Sequence, residues 1–427
     1  MIQYNNPSRD EWPSILKRPT QTVDDIEGVV EEVFAAVQQK GDIAVQEYTE
    51  QFDKVSLAKL QVTTAEMDRA VTHVPDDLKS SIELAKGNIE RFHAAQRTSK
   101  VSLVTSPGVE CWQEKRPIQK VGLYIPGGTA PLFSTILMLA IPAKLAGCDE
   151  IVLCTPPTQN GDVNPVILYT AHLCGVTKIF KVGGIQAIAA MTFGTESIPS
   201  VYKIFGPGNQ FVTVAKQLAT KRGVAIDMPA GPSELLVVAD ETANPAFVAS
   251  DLLSQAEHGT DSQVILVSTS KEMITKVELE IQTQLMLLPR RDIAKQAIAN
   301  SRSIYVENDD RAIDLINEYG PEHFIISMKN EEFYIENIQN AGSVFVGAYT
   351  PESAGDYASG TNHTLPTNGY AKQYSGVNLD SFMKSMTFQR ISQEGIRSIG
   401  PAIEQMAEAE GLQAHKNAVT LRLKSLS

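Results

Sequence analysis

Three short stretches of this 427-residue chain gather side chains that can bind a metal or move a proton. The first is Ser254-Gln255-Ala256-Glu257-His258-Gly259. Gln255 and His258 are three residues apart, so on a helix they share one face, and Asp251, four before Gln255, falls on the same face. A carboxamide oxygen, an imidazole and a carboxylate at a helix end can begin a metal site. They can equally form a solvated polar face that closes on a histidine favoured by the helix dipole. The second stretch is Gly320-Pro321-Glu322-His323-Phe324, where a carboxylate and an imidazole are adjacent. An imidazole takes a proton near neutral pH, and a neighbouring carboxylate orients it or activates water. Consecutive strand side chains point to opposite faces, so Glu322 and His323 serve one ligand only if they lie in the loop before the strand. The third runs from Ser353-Ala354-Gly355-Asp356 to Ser359-Gly360-Thr361-Asn362-His363, a polar region in which a carboxylate is free to reach a ligand. His415, five residues after Glu410, begins the last helical segment, whereas His73, His93 and His172 have no acidic or glycine-rich neighbourhood and read as structural.

The elements that must position these groups are legible from periodicity. Asn244-Pro245 is a helix start signal, Val248, Leu252, Leu253 and Ala256 recur at helical spacing, and Gly259 is a stop. Upstream, about Asp24 to Lys100 reads as helices, with stripes at Val29, Val30, Val33, Phe34 and Val37 and from Ile82 to Phe92, interrupted by a short Val55 to Thr63 segment. From Val121 short apolar runs at 121–125, 151–154, 179–182 and 201–205 alternate with helical patterns at 134–146, 164–174, 185–193 and 210–221. Runs at 235–239, 264–268, 303–306, 324–327 and 343–346 make a second series. This rhythm predicts βαβ units and an α/β fold of two incomplete Rossmann-like domains with mainly parallel sheets, and the similar size of the two sets suggests a duplication. The expected divisions are a helical N-terminal region at 1–120, a first α/β domain at 121–232, a second at 233–377, and a helical tail at 378–427 split by Gly411.

Open α/β sheets bind ligands beyond the carboxyl ends of their strands, and the loops here are rich in Gly and Pro. Pro126-Gly127-Gly128-Thr129, Val182-Gly183-Gly184, Gly206-Pro207-Gly208-Asn209 and Gly231-Pro232-Ser233 allow backbone N–H groups close to a phosphate, next to a helix N-terminus. A pyrophosphate-bearing cofactor fits such loops, and so do plain tight turns. Gly206-Pro207-Gly208-Asn209-Gln210-Phe211 begins like a dinucleotide fingerprint but has Phe211 at the third glycine.

Composition removes several classes of function. Lys plus Arg number 37 against 50 Asp plus Glu, a net charge of -13, which disfavours nucleic acid and anionic membrane as partners. The start of the chain carries no basic and apolar leader pattern, and the run Thr135 to Ala146 is interrupted by Pro142 and Lys144 and is too short to span a bilayer, so a cytoplasmic protein is expected. Cys111, Cys148, Cys154 and Cys174 are spaced 37, 6 and 20 apart, which argues against a disulfide scaffold or thiolate zinc site. No H-E-x-x-H, P-loop, G-x-S-x-G or kinase signature is present.

Taken together, the motifs resemble the histidinol dehydrogenase family over nearly the whole chain. The resemblance rests on Val121-Gly-Leu-Tyr-Ile-Pro-Gly-Gly, Gly206-Pro-Gly-Asn, Gly231-Pro-Ser-Glu, Ser254-Gln-Ala-Glu-His, Gly320-Pro-Glu-His, Ala354-Gly-Asp-Tyr, Thr361-Asn-His-Thr-Leu-Pro-Thr and Glu410-Gly-Leu-Gln-Ala-His. It implies NAD-dependent four-electron oxidation of L-histidinol through L-histidinaldehyde to L-histidine, the last steps of histidine biosynthesis. It implies one zinc ion per subunit, held by Gln255, His258, Asp356 and His415, with Glu322 and His323 as the acid/base pair. It further implies that Ser233, His323 and Glu410 join the zinc ligands in holding substrate, that Tyr124, Gln186 and Asn209 contact NAD, and that His363 lies near the substrate. Asp251 has no place in the family pattern beyond supporting or capping the metal site. A homodimer in which the tail of one chain completes the site of the other is the implied assembly. Rival readings are an aldehyde dehydrogenase with a cysteine nucleophile, a zinc hydrolase, and a non-catalytic amino-acid-binding protein.

Overall fold

The computed structural model describes residues 1–19, 24–127, 131–229 and 231–426, so Gly128 and Thr129 of the first glycine-rich loop lie outside the described residues. Three strands precede the first large sheet: β1 (Ile2–Asn5), β2 (Val101–Ser106) and β3 (Val109–Pro117). The first sheet contains β4 (Lys120–Tyr124), β5 (Glu150–Thr155), β6 (Lys178–Lys181), β7 (Lys203–Phe205) and β8 (Ala225–Ile226). The second contains β9 (Glu234–Ala239), β10 (Gln263–Ser268), β11 (Arg302–Tyr305), β12 (His323–Ser327) and β13 (Ser343–Val346), and β14 (Met383–Ile391) lies in the tail.

Both large sheets are parallel, as the alternation of strands and helices implies. Their orders are β6-β5-β4-β7-β8 and β1-β11-β10-β9-β12-β13. Apart from β1, each runs third, second, first, fourth, fifth in its own series, the doubly wound order lacking its last strand. Every residue of β9 and β10 is buried, because helices cover both faces. Over the first sheet the N-terminal helices do the covering. Val30, Val33, Phe34 and Val37 of helix Asp24–Lys40 pack with Ile188 and Ala215, and Ile82 and Ile89 pack with Ile136 and Met138 of the apolar helix Phe133–Ala146.

The first 120 residues are not wholly helical. β1 pairs with β11 as an edge of the second sheet, and β2 and β3 form an antiparallel sheet with β14, in the order β14-β3-β2. The tail read as helical from about Asn378 therefore begins with a strand, followed by helices Gln393–Ala409 and Gln413–Lys424 on either side of Gly411. β3 and β14 give weak sequence signals because they are largely polar and their partners lie far apart in the chain, and the apolar residues of β2 are exposed. Trp112 stacks on Phe388 with ring centroids 5.2 Å apart, and no local pattern announces that pair. Among the described residues no helix is long and apolar enough to cross a membrane.

The two large sheets are joined only by residues 227–233, so β9 begins close to where β8 ends. This short link sets the carboxyl edge of the first sheet against the amino edge of the second.

Candidate active site

A cleft of about 370 Å³ lies between those two edges. The first set contributes Pro126 and the loop Gly206–Asn209, and the second contributes Ser233, Gln255, His258, Glu322, His323, Asp356 and His363. The expectation that chemistry collects at carboxyl ends of strands holds for the first sheet only. Ser233 precedes β9 and His323 opens β12, which are amino ends, and Gln255 and His258 close a helix that returns to that same edge.

Helix Pro245–Ala256 starts as its sequence dictates: Asn244 Oδ1 accepts from Ala246 N at 3.0 Å, and Pro245 occupies the first turn. Its last residue is Ala256, so the stop precedes Gly259, and His258 sits just beyond the helix. The face carrying Gln255 is not solvated. Gln255 is fully buried, and neither its amide oxygen nor its amide nitrogen has a partner among the described residues. An unpaired buried carboxamide is costly, so its orientation toward a cleft that also holds an imidazole and a carboxylate fits a metal ligand. Asp251 is half-buried outside the lining of the cleft, where burial pushes its carboxyl up to about 7.

His323 is the first residue of β12 and Glu322 lies immediately before it, which is the placement that lets both face one ligand. The backbone of one residue, Glu234, orients the pair. Glu234 N donates to Glu322 Oε2 at 2.9 Å, while the Glu234 carbonyl oxygen lies 3.1 Å from His323 Nδ1. A carbonyl only accepts, so Nδ1 carries the proton and Nε2 is the basic nitrogen. Nε2 has no hydrogen-bond partner among the described residues and lies 3.8 Å from Asp356 Oδ1. Burial lowers the imidazole below its ordinary value, with Asp356 opposing, and burial holds Glu322 well above the carboxylate range.

Glu352 was not singled out by the sequence reading. It is 1% exposed, its Oε1 lies 3.3 Å from His323 Nδ1, and its Oε2 accepts from Ser254 Oγ at 3.1 Å. Burial, then the charges of Asp356 and Glu322, keep this carboxyl well above its usual range. The available signal was its spacing: Glu352 precedes Asp356 by four residues, one face of the short helix Glu352–Tyr357. His323, Glu352 and Asp356 each bring a ligand atom within 4.8 Å of the others, a second indication that this corner suits a cation. His363 joins the two α/β sets, its Nδ1 2.8 Å from the Asp356 carbonyl oxygen and its Nε2 3.2 Å from Thr135 Oγ1.

Tyr124 and Gln186 are buried behind the rim of the first set. Gly184 N donates to Tyr124 Oη at 3.1 Å, and both amide atoms of Gln186 lack partners among the described residues; neither side chain is part of the lining of the cleft. Asn209 is exposed at the cleft and caps helix Gln210–Lys221, its Oδ1 accepting from Val212 N at 3.1 Å. The donor set at this edge, a carboxamide on either side of a glycine-rich loop and helix N-terminus, fits a dinucleotide.

Glu410 and His415 are not brought to this cleft. Both are exposed in the helical tail, which packs on itself and against the β2–β3 turn, where Ser392 N donates to the Gly108 carbonyl at 2.9 Å. Among the described residues the cleft also lacks cysteine: Cys148, Cys154 and Cys174 are buried, and burial pushes the thiols of Cys148 and Cys174 up to about 12. That removes the basis for a cysteine-nucleophile reading.

Residues 16–423 match the family model described as histidinol dehydrogenase. The chain is 60% identical over 426 residues to a histidinol dehydrogenase of Bacteroides fragilis, covering 100% of this chain and 99% of that protein. It is 49% identical over 430 residues to one from Yersinia pestis, covering 100% of this chain and 96% of that one. The crystal structure of histidinol dehydrogenase from Elizabethkingia anophelis superposes with a TM-score of 0.98 at 56% identity, covering 100% of this chain and 98% of that chain.

Proposed function

This chain belongs to the histidinol dehydrogenase family, and from that premise we propose that it oxidises L-histidinol through L-histidinaldehyde to L-histidine with NAD as the hydride acceptor. The observation that carries the reading is the convergence, in one cleft, of the unpaired Gln255 amide, His258 and Asp356 with the oriented Glu322–His323 pair. A soluble cation ligand set without an oriented base would fit a binding protein equally well; the free Nε2 of His323 favours an oxidoreductase.

Gln255, His258 and Asp356 would hold zinc, and His415 of a second chain would complete the shell in a homodimer. Bound there, zinc would anchor the imidazole and amine nitrogens of histidinol. Ser233 and the partner chain's equivalent of Glu410 would secure the rest of the substrate. His323 Nε2 takes the alcohol proton while the carbinol hydride leaves to nicotinamide, giving the aldehyde. Glu322 then takes a proton from water as its oxygen adds to the aldehyde carbon, and His323 returns its proton to the aldehyde oxygen, which forms the hydrate and frees Nε2 to act again. His323 takes a hydroxyl proton of the hydrate, a second hydride leaves to a second NAD, and the carboxylate results. Burial of both catalytic groups keeps competing water out and leaves His323 neutral at physiological pH.

The test is NADH formation from purified protein, histidinol and NAD with zinc present, repeated after chelation. Two NADH per histidinol, lost on chelation and recovered with zinc, is the expected result. Histidinol binding without NADH would leave only a binding protein, and metal-dependent turnover without NAD would indicate a hydrolase.

A further inference from the structure

The most deeply buried lysine–carboxylate pair among the described residues stands in the wall of the cleft. The side chains of Lys216 and Asp227 are 4% and 1% exposed and are ion-paired. Both grip the backbone of one residue. Lys216 Nζ donates to the Gly206 carbonyl oxygen at 2.8 Å, and Gly206 N donates to Asp227 Oδ2 at 2.8 Å. Asp227 Oδ1 accepts from Met228 N at 2.7 Å, so each carboxylate oxygen is used. The residue they hold can only be glycine: its φ is +129°, and a Cβ there would lie 2.1 Å from the Tyr124 carbonyl oxygen. The loop Gly206–Asn209 is thus pressed against the end of β4, with Tyr124 beneath it and Asn209 at its far end.

A buried ion pair is weak evidence for stability, since desolvation of both charges offsets most of their attraction. Its better-supported use is to specify one geometry. Here the specified geometry is that of the loop linking two residues assigned to the cofactor. We propose that Lys216 and Asp227 are positioning residues for NAD, a clamp that fixes the Gly206 peptide and through it the relative placement of Tyr124 and Asn209. This rests on the NAD reading above. Helix Gln210–Lys221 carries Lys216 two turns beyond its Asn209 cap, so the clamp also ties the helix N-terminus to the strand end it serves.

The test compares steady-state kinetics of the zinc-loaded dimer for Lys216→Met, Asp227→Asn and the double variant. Each single change should raise KM for NAD about tenfold while KM for histidinol stays within about twofold, since only the cofactor loop is released. The double variant should raise KM for NAD no further than the worse single variant, because the two paired side chains act together on the backbone of one glycine. A merely structural pair would lower thermal stability without separating the two KM values. Folded variants with unchanged KM for NAD, or with both KM values raised alike, overturn the clamp. If Lys216→Met does not fold, Asp227→Asn decides, because asparagine has nearly the same volume but removes the charge that holds Lys216 on the Gly206 carbonyl. Wild-type protein that makes no NADH from histidinol overturns the NAD reading itself, which is a distinct outcome.

Discussion

At the scale of single residues, one carbonyl makes the two nitrogens of His323 different. The Glu234 oxygen holds Nδ1 as a donor, and Nε2 is left as the base. Replacing His323 by Asn keeps a polar side chain of smaller size but removes the base, so the rate of NADH formation should fall by about 10² to 10⁴. A loss of less than about tenfold in a folded variant would sink the assignment. Burial lowers the His323 imidazole, so it stays in its neutral, proton-accepting form to a lower pH than an ordinary histidine. Accordingly kcat/KM for histidinol should hold as pH falls past about 6.5 and drop only below it; a profile already half lost at that pH would contradict the placement. Asp251 gives the opposite case, a carboxyl pushed up to about 7 by burial alone. The folded protein keeps a proton there that the unfolded chain has released, so stability is full at low pH and declines between about 4 and 7. In chelated protein, Asp251→Asn should therefore raise the melting temperature more at pH 8 than at pH 5, by calorimetry. Equal shifts at the two pH values would show that the carboxyl is better solvated than its position implies.

At the scale of elements, β9 is the strand on which the site depends, because its first residue orients both Glu322 and His323. That residue is itself anchored. Arg18 Nε and Nη2 donate to the two Glu234 carboxylate oxygens at 2.5 and 2.8 Å, and the guanidinium lies 4.0 Å from the Tyr319 ring centroid. Arg18→Met would leave the Glu234 carboxylate buried without its cation, with the Asn368 N–H still donating to it, a loss of about 3–5 kcal/mol in urea unfolding. A loss under about 1 kcal/mol would mean that Glu234 takes up a proton or finds another partner at little cost. Apart from β1 and the two-residue β8, the strands of the two parallel sheets were legible because fully buried runs such as Leu235–Ala239 can be little else between helices. β2, β3 and β14 were not, since Val101, Leu103 and Val104 are exposed and the pairing joins segments nearly 300 residues apart, as Leu103 and Gln389 show through Cys111.

At the scale of the whole molecule, the unresolved distance is between the tail and the cleft. Glu410 and His415 are exposed and away from Gln255, His258 and Asp356 of their own chain, which is the arrangement expected if they serve a second subunit. Mixing a His415→Ala chain with a His323→Ala chain should then restore activity in the heterodimers that contain one intact site. Verified heterodimers with no recovery would count against shared sites. Sequence by itself determined the α/β rhythm, the helix that carries Gln255, the motifs that place the chain in its family, and the residue types of the site. These are local properties, set by side-chain periodicity and by chemistry that tolerates few substitutes. Tertiary structure alone decided that the second sheet offers its amino edge, that Gln255 is buried rather than solvated, that Glu352 stands behind His323, and that Lys216 and Asp227 meet across Gly206. Each of these depends on which distant segments share one desolvated space, and a linear pattern does not contain that distance.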